Sequence, residues 1–292
     1  MALYVNTNTS SINSQRRLST STKALDTSYE KLASGLRINS AKDDAAGLQI
    51  SDRMTSQING LTQGNRNAND GVSMCQTAEG ALDEVTNMLQ RIRVLAIQSA
   101  NGTNTSAERE AINQEAIQLQ QEITRIGRDT TFGSTKHIMG TGAGATTFQV
   151  GSNSYDTISL TMKGISTLAD DAGLTDKFKV ENTNAADPTD YCAFDLSTTN
   201  GSQTAIDDID KMLKQVDSYR AELGAVQNRL ESTIANQENV IENVSDARSR
   251  IRDVDYASET ASMTSASILQ QASTTILSQA NQKTQIALNL LG

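Results

Sequence analysis

The sequence predicts a mainly α protein: a long antiparallel helical rod with a small β-hairpin region, plus coiled-coil helices at both termini. Three observations carry that expectation. Apolar residues recur at seven-residue intervals near both ends and along two long central stretches. Between those stretches, over about residues 131–163, the period falls from about 3.5 to about 2. The composition also suits thin layers: hydrophobic residues are 37%, aromatics 3%, with no Trp. A thick α/β core needs more large aromatic side chains, whereas bundles of a few helices need mainly Leu, Ile, Val and Ala.

Taken in order, Leu18, Leu25 and Leu32 form the N-terminal seam, with Tyr29 and Leu36 on an adjoining register. Residues 1–40 are otherwise rich in Ser, Thr and Asn, so this amphipathic helix is expected to order only on a partner. Met54, Leu61, Ala68, Cys75, Leu82, Leu89 and Ala96 mark a long helix, weakened by glycines at 60, 64, 71 and 80 unless those permit close contact. Asn101 to Ser106 is turn chemistry, after which Ser106 opens a return helix carrying Ile112, Ala116, Leu119, Ile123 and Ile126. Thr147–Gly151 and Thr157–Met162 alternate like half-buried strands. Residues 166–204 hold the single Pro and many turn-formers, so they read as an exposed loop or very small domain. Helix resumes at Ile206, with seams through Ile209, Val216, Leu223, Leu230 and Val244, interrupted at Gln237, and through Met212, Tyr219, Val226 and Val240. The C-terminal seam runs through Leu269, Ala272, Ile276, Ala280, Ala287 and Leu290, interrupted by Lys283. Seams of this kind bury themselves only against another helix, so both ends are built to pair, with each other or with neighbouring molecules.

Several function classes are disfavoured. A net charge of −9 without a basic stripe argues against nucleic acid. No stretch approaches the roughly 18 apolar residues that span a bilayer, and the first twenty lack a secretory signal pattern. Taken alone, that suggests a cytoplasmic protein. His137 is the single histidine, so a His-Glu-x-x-His zinc site cannot form. Acidic pairs such as Asp43-Asp44, Asp170-Asp171 and Asp207-Asp208 read as solvated charges or helix N-terminal complements, and no catalytic residue, metal or cofactor is expected. Cys75 sits on an apolar seam as an inert core residue, and Cys192 lies in a polar loop; their spacing matches no metal or redox motif. Arg37, Lys42, Asp43 and Asp44 before the rod occupy a position equivalent to that of Arg248, Arg250, Arg252 and Asp255 after it, either as a solvated surface or as a packed network between subunits.

Longer motifs resemble one family. Residues 34–51 (Ser34-Gly-Leu-Arg-Ile-Asn-Ser-Ala-Lys-Asp-Asp-Ala-Ala-Gly-Leu-Gln-Ile-Ser51) are similar to the N-terminal signature of bacterial flagellins. So are Arg66–Gly71, Gln90–Asn101, Leu223–Leu230, Ala247–Tyr256, Ile268–Ala272 and Gln279–Gln282. The resemblance covers about residues 1–165 and 205–292. It implies a subunit that self-assembles into the flagellar filament, with terminal helices (domain D0) at 1–42 and 255–292. The rod (domain D1) would be 43–165, including the hairpin, with 205–254, and 166–204 a reduced, variable outer segment. It implies export through the flagellar secretion channel without a cleaved signal, which replaces the cytoplasmic location. Expected partners are the chain itself, the filament cap, hook–filament junction proteins, a chaperone for the C-terminal helix and the vertebrate Toll-like flagellin receptor. For that receptor, Arg91, Leu95 and Glu115 match the family's surface, while Val94 replaces an acidic residue many members carry. O-glycosylation within 134–204 also fits the family. A hook–filament junction protein, which shares the terminal helices, is the alternative.

Overall fold

The computed structural model describes residues 7–133, 136–139, 144–174 and 194–289. In chain order the elements are α1 (Thr9–Ser34), α2 (Ala45–Ala100), α3 (Ser106–Asp129), β1 (Thr131–Phe132), β2 (Lys136–His137), β3 (Ala145–Gln149), β4 (Thr157–Thr161), α4 (Ile165–Asp171), α5 (Thr199–Arg252) and α6 (Tyr256–Asn289). The mainly α expectation holds, and the described strands form two antiparallel hairpins, β1–β2 and β3–β4. Contacts divide the chain into two compact units, Met1–Ile58 with Ile241–Gly292, and Asn59–Val240. That division runs inside α2 and α5.

In the 59–240 unit the predicted seam of α2 is the spine of the core. Cys75, Leu82, Leu89 and Ala96 are fully buried, joined by Val85, Ile92 and Leu95 from flanking positions. Against them pack Ala116 and Ile123 of α3 and Ile209, Met212, Val216, Tyr219 and Leu223 of α5. Each fully buried aliphatic side chain here contributes about 1.5–3 kcal/mol. Ser106 opens α3 as expected, and Thr105 caps it: its hydroxyl accepts from the Glu108 N–H while Glu108 accepts from the Thr105 N–H at 2.7 Å. This reciprocal capping box fixes the turn between α2 and α3.

The β3–β4 hairpin pairs Ala145 with Thr161 through to Gln149 with Thr157. Its inward residues Ile158 and Val150 meet Ala68 and Leu230. The glycines of α2 have separate duties. A Cβ on Gly64 would overlap the Val150 carbonyl oxygen, and one on Gly60 would lie 2.8 Å from the Ser152 Cβ. These two let the hairpin lie directly on the helix. Gly71 sits against Leu230 of α5, and Gly80 faces open space. Gln237, the interruption in the α5 seam, is buried and donates from Nε2 to the same Val150 carbonyl at 2.6 Å.

The expectation that 166–204 lies outside the core needs correction at both flanks. Leu168 and Ala169 of α4, Leu174, Phe194 and Leu196 are buried in the main core, and α5 begins at Thr199, seven residues before Ile206. Side chains hold the returning segment in place of a sheet partner. Gln120 Nε2 donates to the Phe194 carbonyl at 3.1 Å and its Oε1 accepts from the Phe194 N–H at 3.2 Å. Ser99 Oγ donates to the Leu196 carbonyl at 2.7 Å, and Asn113 Oδ1 accepts from the Leu196 N–H at 3.0 Å. Pro188 and Cys192 lie outside the described residues.

In the other unit, α1 packs on α6 through a narrow, partly polar seam. Ser11, Ser14, Leu25 and Ser28 are buried on α1, and Ala266, Ser273 and Ala280 on α6. Asn8 Nδ2 donates to the Ala280 carbonyl at 2.9 Å and Ser11 Oγ to Asn281 Oδ1 at 2.9 Å. Gly35 ends α1 at φ 73°, a left-handed position that favours glycine.

Gly64→Ala is expected to lower the stability of the monomer by about 1–3 kcal/mol, because the hairpin must lift off α2. Gly80→Ala, with nothing near it, should raise it by up to about 1 kcal/mol. Urea unfolding of both variants measures the contrast; equal effects would remove close hairpin approach as the reason for Gly64.

Candidate functional site: assembly surfaces

Two regions carry the predicted functional residues: the loop stitch and exposed stripe of the α1–α6 unit, and the α2–α3 face of the other unit. In the stitch, Leu36 pairs with Asp253 as an antiparallel bridge. The Arg37 N–H donates to the Arg252 carbonyl at 2.6 Å, and the Val254 N–H donates to the Gly35 carbonyl at 3.0 Å. The Arg37 guanidinium adds hydrogen bonds from Nη2 and Nε to the Ile251 carbonyl, at 2.5 and 3.2 Å. Those carbonyls are the last of α5, where a helix leaves its acceptors unpaired and its dipole negative. Arg37 therefore caps α5.

Of the other charges expected in a network between subunits, all but Lys42 also make contacts within the chain. Asp44 accepts from the Gly47 N–H at 2.9 Å at the start of α2, and Asp255 accepts from the Ala257 N–H at 3.0 Å at the start of α6. Asp43 accepts from the N–H groups of Ser40 and Asn39, which hold its carboxyl below the usual range. Arg250 pairs with Asp246 at 2.6 Å, Arg252 lies 3.7 Å from Asp52, and Arg248 donates to Thr55 Oγ1 at 3.3 Å. Lys42 is exposed in the same loop. Helix termini leave backbone groups unpaired, and here Arg37, Asp44 and Asp255 satisfy them.

The terminal seams divide. Leu25 is buried against α6, with Leu18 and Leu32 partly covered. On α6, however, the register that faces α1 is Ala266, Ser273 and Ala280. Leu269 and Ile276, expected at the seam, stand 58% and 55% exposed, and Ile268 beside them 60%. Leu290 lies outside the described residues. Small residues allow the two helices to approach closely, and that register wins the intramolecular contact. Leu269 instead lines an open groove with Asn13, Arg16, Arg17, Ala24 and Ser273.

On the α2–α3 face, Arg91 and Glu115 form an exposed ion pair at 2.6 Å. Leu95 does not join them: it is 2% exposed and belongs to the core, one position before Ala96 on the inward side of α2. Its neighbours Val94 and Ile97 are the exposed apolar residues of that stretch. Bidentate Arg93–Asp210, with Nε–Oδ1 at 2.7 Å, links α2 to α5 nearby.

Among the described residues no three His, Cys, Asp or Glu side chains group as metal ligands, and no helix is long and apolar enough to cross a membrane. Burial pushes the Cys75 thiol up to about 11, so it stays a thiol. Burial likewise pushes the Tyr219 phenol up to about 12; it accepts from the Lys163 N–H at 3.0 Å and anchors the end of β4 to α5.

The α6 helix leaves Ile268, Leu269 and Ile276 exposed, as a helix built to pair with further helices would. Residues 5–142 match the family model for the bacterial flagellin N-terminal helical region, and 206–291 that for the C-terminal helical region. Flagellin A of Vibrio cholerae serotype O1 and polar flagellin B/D of Vibrio parahaemolyticus are each 39% identical to the chain, over 100% of both sequences. Those alignments run over 379 positions, so this chain of 292 residues is a short form. The fold is shared with a solved Vibrio parahaemolyticus protein assigned as a flagellar hook-associated protein, at a TM-score of 0.55, 15% identity, and coverage of 72% of this chain and 100% of that one. The chain belongs to the bacterial flagellins. It is a structural subunit, not an enzyme, that self-assembles into the extracellular flagellar filament.

The buried thiol and phenol set an alkaline limit on the monomer. Both folded pKa values lie above the ordinary 9.0 and 10.0, so the stability they contribute is complete below about pH 9 and falls as pH rises, for Cys75 from 9 to about 11 and for Tyr219 from 10 to about 12. The unfolding free energy from urea titrations should drop across the first window by on the order of 2 kcal/mol, and Cys75→Ala should flatten that part of the curve. An unchanged curve would remove Cys75 as its cause.

Proposed function

We propose that filament growth is driven by the apolar stripe of α6, with Leu269 and Ile276 docking on neighbouring copies, while Leu25 closes α6 onto α1 within one copy. The observation that carries this is the exposure of three large apolar side chains, Ile268, Leu269 and Ile276, on one terminal helix. Such stripes mark interaction sites. The open groove that Leu269 shares with Asn13, Arg16, Arg17 and Ala24 of α1 extends the stripe as one continuous surface for such a contact. Where this stripe docks on a different patch of the next copy, the contact is heterologous, the rotation does not close, and a tube extends. Leu18, Leu32 and Leu290 complete the seams in this scheme.

Leu269→Ser with Ile276→Ser should leave a soluble monomer with unchanged far-UV circular dichroism and abolish seeded polymerisation seen by electron microscopy. Normal filaments from the double variant would sink the proposal. Long tubes from the wild-type chain also separate a filament subunit from a hook–filament junction protein.

Export through the flagellar channel without a cleaved signal, a chaperone at the C-terminal helix and contact with the cap and junction proteins follow from the family resemblance. Recognition by the Toll-like flagellin receptor rests on the exposed Arg91–Glu115 pair, with Leu95 supporting that surface from beneath. Arg91→Ala should weaken the response to folded monomer roughly thirtyfold, as for loss of one desolvated interface Arg. A dose–response curve superimposed on wild type would take Arg91 out of the site.

A further inference from the structure

The chain contains three Asn-Gly pairs, Asn59-Gly60, Asn101-Gly102 and Asn200-Gly201. We propose that Asn101 is a site of spontaneous deamidation built into the α2–α3 turn, and that it alone of the three reacts in the folded protein. The Gly102 nitrogen loses its proton to solvent base and attacks Asn101 Cγ. A C–N bond forms, the Cγ–Nδ2 bond breaks, and ammonia leaves. Water then opens the five-membered imide at either carbonyl to give Asp or isoaspartate at position 101.

Four features of the turn favour this path. Asn101 Oδ1 accepts from the Thr103 N–H at 3.4 Å, which folds the side chain back over the 101–102 peptide. The Gly102 N–H makes no hydrogen bond among the described residues, so its nitrogen is not held in a ladder. A Cβ on Gly102 would meet nothing within 4 Å, which leaves room for the peptide to turn toward Cγ. The Asn101 carbonyl accepts from Arg109 Nη2 at 3.0 Å and from the Asn104 N–H at 3.3 Å. That carbonyl belongs to the same peptide unit as the Gly102 N–H. A guanidinium on its oxygen draws electron density from the nitrogen and makes the N–H more acidic.

The other two pairs lack these features. Asn59-Gly60 lies inside α2, where the Gly60 N–H belongs to the helix ladder, and a Cβ there would lie 2.8 Å from the Ser152 Cβ. At Asn200-Gly201, in the first turn of α5, the Gly201 N–H donates to Thr198 Oγ1 at 3.0 Å, and a Cβ there would lie 2.6 Å from the Asp195 carbonyl. Neither nitrogen can swing onto its neighbouring side chain without breaking a bond and displacing packed atoms. The reaction at Asn101 places a new carboxylate in the turn that Arg109 holds.

Peptide mass spectrometry on folded, full-length monomer kept at mildly alkaline pH tests this. Asn101 should gain about 1 Da, ammonia out and water in, with isoaspartate present. Its rate should exceed those of Asn59 and Asn200 by roughly tenfold or more, as expected for a group held near its attack position. In urea the three rates should converge. Gly102→Ala, which the open space and the ordinary backbone of Gly102 allow without loss of thermal stability, should slow Asn101 by a similar factor. Equal rates for the three pairs in the folded protein, an Asn101 advantage that persists in urea, or an unaffected Gly102→Ala would each overturn the proposal.

Discussion

The seam of α2 is the constraint on which the larger unit depends. From Leu61 to Ala96 it presents one apolar residue per seven, widened by Val85, Ile92 and Leu95, and it must serve α3, α4, α5 and the β3–β4 hairpin together. With few aromatic residues available, the core is built mainly from aliphatic side chains of adjacent helices. A close-packed interior absorbs little misfit, so each approach to α2 is set by the smallest groups present. Gly64 fixes the hairpin, Gly71 fixes Leu230, and the Arg93–Asp210 and Arg220–Asp83 pairs flank the α2–α5 contact at 2.7 and 3.3 Å. Exposed pairs of this kind add about 0–1 kcal/mol each, so packing holds the helices and charge sets their register.

The α1–α6 unit solves a different problem with the same heptad spacing. Its internal seam is made of Ser, Ala and one Leu, which bury little apolar area, and its hydrogen bonds are exchanged readily with water. Its larger side chains stay outside. A chain that committed Leu269 and Ile276 to its own α1 would have a firmer monomer and little left to offer a neighbour. The stitch at Gly35–Arg37 and Arg252–Val254 then does what the seam does not: backbone hydrogen bonds and the Arg37 cap bind the loop before α2 to the end of α5.

Much of the fold was legible because α2, α3 and α5 hold one period over many turns, which outweighs the local cost of their glycines. Cys75 was legible for the same reason, since its register lies among Leu61, Leu82 and Leu89. Registers that overlap were not. Leu95 and Ala96 are adjacent and both inside, because the stripe on α2 is wider than a strict heptad. On α6 two registers with equal spacing compete, and periodicity cannot say whether Ala266–Ser273–Ala280 or Leu269–Ile276 turns inward; the choice depends on how closely α1 can approach. The start of α5 was missed because Thr199 to Ala205 carries only small inward residues, Ser202 and Ala205.

Polar residues on apolar faces were the least readable feature and carry much of the specificity. Gln237 looks like a break in the α5 seam, yet it brackets the carbonyl that Gly64 makes room for. Gln120, Asn113 and Ser99 likewise look like ordinary helix-surface residues, and together they hold the backbone of Phe194 and Leu196 as a neighbouring strand would. A buried carbonyl without a donor costs about 1–3 kcal/mol, so these side chains admit one placement of each returning segment and penalise its shift by a residue. Apolar packing alone would tolerate such a shift along a nearly uniform seam. In a polymer every subunit repeats the same placement, so an error in one hairpin or strand would be copied into each contact it makes, and single buried hydrogen bonds gain importance beyond their contribution to one monomer.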